Sequence, residues 1–134
     1  MVVTPPASPT GEVDAHFARE PRALPLYRAV ESTILATFPE ARVDVQRTQI
    51  TFRLKRTPGR ERTLAAVWLP PHRVAGRPEV YVVLTLGLRR RLDDPRIIEA
   101  VEPHPGNWTH HVLIARPEDM DEQVMGWLRE AAEQ

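Results

Sequence analysis

The adjacent pair His110-His111 is the first place in this chain where residue type and spacing offer chemistry, because an imidazole with an unperturbed pKa near ~6.5 can exchange protons or hold an anion around neutral pH. The pair sits in a run of alternating residues, His110 with Val112 and Ile114, His111 with Leu113. On a strand, neighbours point to opposite faces, so the two rings cannot readily share one metal ion. His16, His72 and His104 show no spacing that would join them in a metal site, and neither a metal nor a cofactor is expected. A second constellation comes from alternation: if Ile50, Phe52 and Leu54 face a core, Thr51, Arg53 and Lys55 share the other face, with Tyr81 and Thr85 across the sheet from them. Trp108 and one histidine would complete a surface of rings and cations, the kind that stacks a base or holds a carboxylate or phosphate. Trp108 packed beneath the Pro103-His104-Pro105-Gly106 loop is the plainer alternative. Arg89-Arg90-Arg91 just before Asp93-Asp94 reads either as a solvated connection with local ion pairs or as a cationic clamp at a strand end.

Other chemistry is missing. The chain has no cysteine, which removes disulfides, thiolate nucleophiles and sulfur-rich zinc sites together. It carries no phosphate-binding glycine loop, no His-Glu-x-x-His helix and no Gly-x-Ser-x-Gly elbow. Its serines, Ser8 and Ser32, fall in a proline-rich start and in a helix, without a base in evidence.

The elements that must carry these side chains follow from periodicity. Residues 1–11, with Pro5, Pro6, Pro9 and Gly11, read as a flexible leader before a single domain over 12–134. A helical turn carries Val13 and Phe17. Apolar residues at helical spacing, from Leu26 and Tyr27 through Val30, Ile34 and Phe38, predict a first long helix from Pro21 or Pro25, stopped by Pro39. From Arg42 the period becomes two. Strands are expected over Val43–Val45 and Ile50–Lys55, with a turn near Thr48, and over Thr63–Leu69 and Val80–Leu88, whose nearly continuous apolar runs suit central strands covered on both faces. Thr57-Pro58-Gly59-Arg60 is a turn and residues 70–78 a long exposed loop. Asp93-Asp94-Pro95 reads as a helix start, predicting a short helix through Ile97, Ile98 and Val101 before a fifth strand, Trp108–Ala115. Pro117-Glu118-Asp119 then opens a last helix with Met120, Val124, Trp127, Leu128 and Ala131 on its buried side. The fold class is α+β: a mostly antiparallel five-stranded sheet, an N-terminal helix, a short helix before the last strand and a C-terminal helix.

The charges cancel in total but not along the chain. Residues 42–91 hold twelve Arg or Lys against three acids, Asp44, Glu61 and Glu79, so the segment is +9 and the remainder −9. A field near such a patch depends on charges within a Debye length of ~8–10 Å, so a neutral protein can still draw anions to one side. No apolar run approaches the ~20 residues of a membrane helix and the start lacks a signal-peptide pattern, which predicts a cytoplasmic protein without a membrane partner.

Several stretches together resemble a known family, the bacterial domain of unknown function 5655. They are Val45-Gln46-Arg47-Thr48-Gln49-Ile50-Thr51-Phe52-Arg53, Ala65-Ala66-Val67-Trp68-Leu69-Pro70, Leu92-Asp93-Asp94-Pro95-Arg96-Ile97, Val101-Glu102-Pro103, Trp108-Thr109-His110-His111-Val112 and Trp127-Leu128-Arg129-Glu130-Ala131. The resemblance implies a small accessory module and carries no catalytic residue with it. It directs attention to Arg47, Thr48, Gln49, Arg53, Pro95, Arg96, Trp108, His110 and His111.

Residues and resemblance together give a candidate ligand-binding set of Arg47, Gln49, Arg53, Tyr81, Arg89, Trp108, His110 and His111, on a non-catalytic domain that binds an anionic small molecule or protein partner. Two alternatives stand beside it: a small enzyme using His110 or His111 as acid-base with Arg47 or Arg53 stabilising negative charge, and a homo-oligomer in which basic and acidic sides meet. Nucleic acid is the less favoured partner, because fifteen acids outside residues 42–91 repel most of a long duplex.

Overall fold

The computed structural model describes residues 10–57 and 59–134. Residues 1–9 of the expected leader, and Pro58 of the expected turn, lie outside them; Thr10 and Gly11 already belong to the first helix, α1 (Thr10–His16). A 3₁₀ turn at Pro21–Ala23 leads into α2 (Leu24–Thr37), whose buried stripe of Leu26, Tyr27, Val30 and Ile34 is the one the spacing predicts. Pro25 falls in its first turn, where a missing N–H costs nothing.

Six strands follow: β1 (Arg42–Val45), β2 (Ile50–Thr57), β3 (Arg60–Trp68), β4 (Val82–Leu88), β5 (Ile97–His104) and β6 (Asn107–Ile114). They form one sheet in the order β1-β2-β3-β4-β6-β5, antiparallel at every pairing. The chain ends in α3 (Glu122–Glu133), capped where Asp121 Oδ1 accepts the Val124 N–H at 3.0 Å.

The five-strand expectation is corrected here. Asp94-Pro95 does not start a helix: Asp94 Oδ1 accepts the Arg96 N–H at 2.9 Å, a side-chain turn that delivers the chain straight into β5. Ile97, Ile98 and Val101 are β-branched and gain more by pairing with β6, Ile97 opposite Val112 and Val101 opposite Thr109, than a short helix would give them. β5 runs on through Pro103, which an edge strand tolerates, and turns at Gly106, whose φ of +78° is the left-handed conformation that favours glycine.

Strand register assigns the faces. Ile50, Phe52, Val67, Leu84, Leu86 and Val112 point to the side where Phe17, Tyr27, Ile34, Val124 and Leu128 of the helical segments bury theirs, in one continuous core. All three helices therefore cover one face of the sheet. On the other face Ala66 and Val83 are also buried, as the apolar runs of β3 and β4 predict for central strands.

Leu84, fully buried at the centre of the sheet, and Val101, 40% exposed on the edge strand, give a contrast that checks this arrangement. Leu84→Ala is expected to cost about 2–5 kcal/mol and Val101→Ala less than about 0.5 kcal/mol, read from denaturant midpoints at unchanged m-value.

Candidate functional site

On the face away from the helices, one transverse row of paired residues crosses the sheet: Asp44, Thr51, Ala66, Thr85, His111 and Glu99. At its β1–β2 end the polar groups satisfy one another. Thr51 Oγ1 donates to Gln46 Oε1 at 2.8 Å, and Gln49 Nε2 lies 3.1 Å from Gln46 Oε1 and 3.2 Å from Thr51 Oγ1. Arg53 is paired with Asp44 at 3.1 Å. Toward β5 the row continues through polar contacts. Trp68 Nε1–H donates to Thr85 Oγ1 at 2.8 Å, and the same hydroxyl lies 2.8 Å from His111 Nδ1, the donor between them set by the histidine tautomer; His111 Nε2 lies 3.5 Å from Glu99 Oε1. Burial holds His111 below the ordinary histidine range against the pull of Glu99, so at neutral pH its ring is neutral.

His110 lies on the other side, as strand alternation demands. It is fully buried opposite Leu86, and its Nε2 accepts the Leu92 N–H at 2.9 Å. Its Nδ1 has no hydrogen-bond partner among the described residues, although the Leu86 carbonyl favours a proton there. Desolvation dominates and lowers its pKa, with Arg90 and Arg91 adding to the shift. A charged ring would also turn a second N–H against that of Leu92, so this histidine is held neutral in the core.

Trp108 shares the helix-side face with His110, at the rim of the core. Arg91 lies over its ring, the guanidinium carbon 5.6 Å from the centroid. Beside them is a depression of about 240 Å³ lined by Arg62, Gly87, Arg89, Trp108 and Thr109, with Gln134 closing one side. Arg90, between the two, is bidentate on Glu130 of α3 at 2.9 Å to each oxygen. Arg89 and Arg91 have no carboxylate within ion-pair distance among the described residues, so their charge is uncompensated.

The candidate residues thus separate into groups. Arg53 and His111 share the open face but are spoken for by Asp44 and by Thr85 and Glu99. Tyr81 is buried immediately before β4, at the other end of that strand from Arg53, its hydroxyl accepting from Arg77 Nη1 at 3.1 Å. Gln49 belongs to the β1–β2 polar network, and Arg47 is exposed at that turn without an ion-pair partner among the described residues. Arg89 and Trp108 are the two that the structure brings together. Arg96, another position the resemblance pointed to, ties β5 to α3 through Asp94, Asp121, Gln123 and the Trp127 ring. Sequence reasoning missed Arg91 as the partner of Trp108 and the bond from the Trp68 indole to Thr85; both depend on the pairing of β4 with its neighbours, which residue spacing alone does not supply.

The architecture is an α+β domain: a six-stranded antiparallel sheet with helices on one face. The chain belongs to the family Domain of unknown function (DUF5655), whose model matches residues 13–134. No curated protein and no solved structure matches it. No helix among the described residues is long and apolar enough to cross a membrane.

Burial lowers the pKa of His16, His110 and His111 alike. As pH falls through ~6.5 the unfolded chain takes up protons that the folded one refuses, so stability is fully present above that value and is lost below it. The carboxylates lowered by arginine partners, such as Glu61 and Glu130, add their losses only further down, below ~4.5. Equilibrium unfolding between about pH 7.5 and about 5.5 should show this decline, with a shallower slope for His110→Gln, whose amide oxygen can still accept the Leu92 N–H but cannot titrate. A stability that is flat across the window, or a slope unchanged in the variant, would contradict it.

Proposed function

We propose that this domain is a non-catalytic binding module that holds a phosphate or carboxylate group of an anionic partner at the Arg89, Arg91 and Trp108 end of the sheet. The observation that carries the reading is the uncompensated charge: Arg90 spends its fork on Glu130, while Arg89 and Arg91 stand on either side of it without a carboxylate among the described residues. Arg91 rests against the Trp108 ring, guanidinium carbon 5.6 Å from the centroid, a contact that commits no N–H to a carboxylate, and a guanidinium fork can take an anion by two parallel bonds. Gly87 adds no side chain to the depression, and its volume of about 240 Å³ suits one anionic head group rather than a whole extended ligand. The rest of a partner would lie outside on the surface.

Acid–base chemistry at His111 is a second reading, supported by the contacts of its ring: Thr85 Oγ1, which accepts from Trp68, lies 2.8 Å from Nδ1, and Glu99 Oε1 lies 3.5 Å from Nε2. No arginine touches His111 among its described partners, so the chain offers a base without the cation that the enzyme alternative paired with it. His110, buried and bonded to Leu92, is not placed to meet a substrate.

Titration with inorganic phosphate and with a glutamate-rich peptide, followed by Trp108 fluorescence against a Trp108→Phe control, tests the binding reading. A saturable signal that weakens with added salt is expected. The double substitution Arg89→Ala and Arg91→Ala should cost about 1.5–3 kcal/mol of binding, more than tenfold in Kd, with the fold intact. No response to either probe, or an equal response in the double variant, would dismiss this reading; turnover of an activated ester that disappears in His111→Gln would favour the second.

A further inference from the structure

A more enclosed pocket lies at the opposite end of the sheet. β3 runs from Arg62, beside the Trp108 depression, to Trp68 in this one, about 20 Å away at ~3.3 Å per residue. The pocket has a volume of about 370 Å³, within the range of small-molecule sites. Three separate segments build it: α1 and the loop after it supply His16 and Arg19, the β1–β2 turn supplies Arg47 and Thr48, and the exit of β3 supplies Trp68 and Pro71.

Its walls are fixed before anything binds. Arg19 donates to the Pro70 carbonyl at 2.9 Å and to the Leu69 carbonyl at 3.0 Å, fastening the segment after α1 over the end of β3. The Trp68 indole is held by its N–H bond to Thr85 and by an edge contact with His111, ring centroids 5.5 Å apart. His16 stands edge-on to Phe17, ring centroids 5.1 Å apart, and faces the pocket from the end of α1. Such a wall loses little freedom on binding, so more of each contact appears as affinity.

The charge of the pocket points to its ligand. Arg47 has no ion-pair partner among the described residues, and Arg19 gives two N–H groups to carbonyls, which do not cancel its charge. Glu20, next to Arg19 in sequence, is bound by Arg22 at 2.8 Å. Glu12 lines an adjoining depression that shares His16 and Arg47, so the acid sits beside the pocket and not within it. His16 is kept neutral at neutral pH, first by burial and then by Arg19, and serves as a polar wall instead of a third cation.

We propose that this pocket binds a small planar ring compound carrying one carboxylate or phosphate, with the anion between Arg19 and Arg47 and the ring against Trp68. Two arginines lining one space select the negative group, and the indole with Pro71 selects a flat apolar body. The inference is independent of the Trp108 reading, because the two pockets share no residue.

The test uses isothermal titration of the full chain with four probes: indole-3-acetate as ring carboxylate, adenosine monophosphate as ring phosphate, adenosine as ring without charge, and acetate as charge without ring. At least one ring anion should bind saturably, and adenosine and acetate each at least about tenfold more weakly, the loss of one charge-assisted contact or one stacked ring. Arg47→Ala, a change at an exposed side chain, should weaken the ring anion by about tenfold without moving the thermal midpoint, and Arg89→Ala with Arg91→Ala should leave it unchanged. The stronger of the two ring anions separates carboxylate from phosphate. Absence of saturable binding by both overturns the proposal, as does binding indifferent to Arg47→Ala. Binding lost in the Arg89/Arg91 variant alone also overturns it, and leaves the Trp108 reading standing.

Discussion

One-sided burial is the constraint on which the rest of this structure depends. The centre of the sheet, Phe52, Val67, Leu84, Leu86 and Val112, is sealed by the helical residues Tyr27, Ile34, Val124 and Leu128, and every strand must present its apolar set to that side. A one-residue slip would reverse every side chain, so register is fixed across all six strands at once. The different fates of His110 and His111 follow. Pairing with Leu86 sends His110 into the core, and pairing with Thr85 sends His111 to the open face. Two identical neighbours become a neutral structural acceptor and a link in a polar chain through the period of the strand alone.

The same constraint explains what sequence could show. The first long helix, the turn at Thr48, and the central position of β3 and β4 are local consequences of apolar spacing, and they are where the pattern puts them. The last helix starts later than Pro117-Glu118-Asp119 suggested, because those residues close a separate 3₁₀ turn and Asp121, whose side chain accepts the Val124 N–H, caps α3 at Glu122. β5 was hidden because its opening signal is ambiguous: Asp94 before Pro95 serves equally to cap a helix or to close a side-chain turn, and only the availability of β6 as a partner decides. Of Thr51, Arg53, Lys55, Tyr81 and Thr85, grouped by alternation, Thr51 and Thr85 lie in one transverse row and Arg53 binds Asp44 of that row, whereas Lys55 pairs with Glu61 beyond the register shift at Phe52/Arg53 and Tyr81 bonds to Arg77 ahead of β4. Trp108 was not legible by alternation, because a residue at the start of a strand has no upstream alternation to fix its side; its pairing with Leu88 turns it toward the helices and away from Arg53.

Charge was the least legible property of all. The +9 of residues 42–91 is a count along the chain, and folding redistributes it in space. An acid from outside the segment returns to it: Glu130 of α3 binds Arg90. Acids within it take others, as Glu61 takes Arg42 and Asp44 takes Arg53. Exposed pairs of this kind contribute little to stability, ~0–1 kcal/mol each, yet they decide which guanidiniums remain able to meet a ligand. A uniform basic face is thereby reduced to a few separate points.

Those points lie where strands end, and there is a physical reason for it. Within the sheet each side chain has neighbours on the paired strands, so an arginine such as Arg53 finds a cross-strand carboxylate within reach. At a strand end the ladder stops and one side of that neighbourhood is missing. Arg47 at the β1–β2 turn and Arg89 and Arg91 beyond β4 are left with solvent on that side, each next to a tryptophan whose ring is half covered by the sheet. Trp68 is anchored through Thr85 into the transverse polar row, whereas Trp108 is covered by Arg91 itself. The first arrangement leaves an aromatic wall open and the second presents a cation, so the two ends of one strand, β3, carry different surfaces.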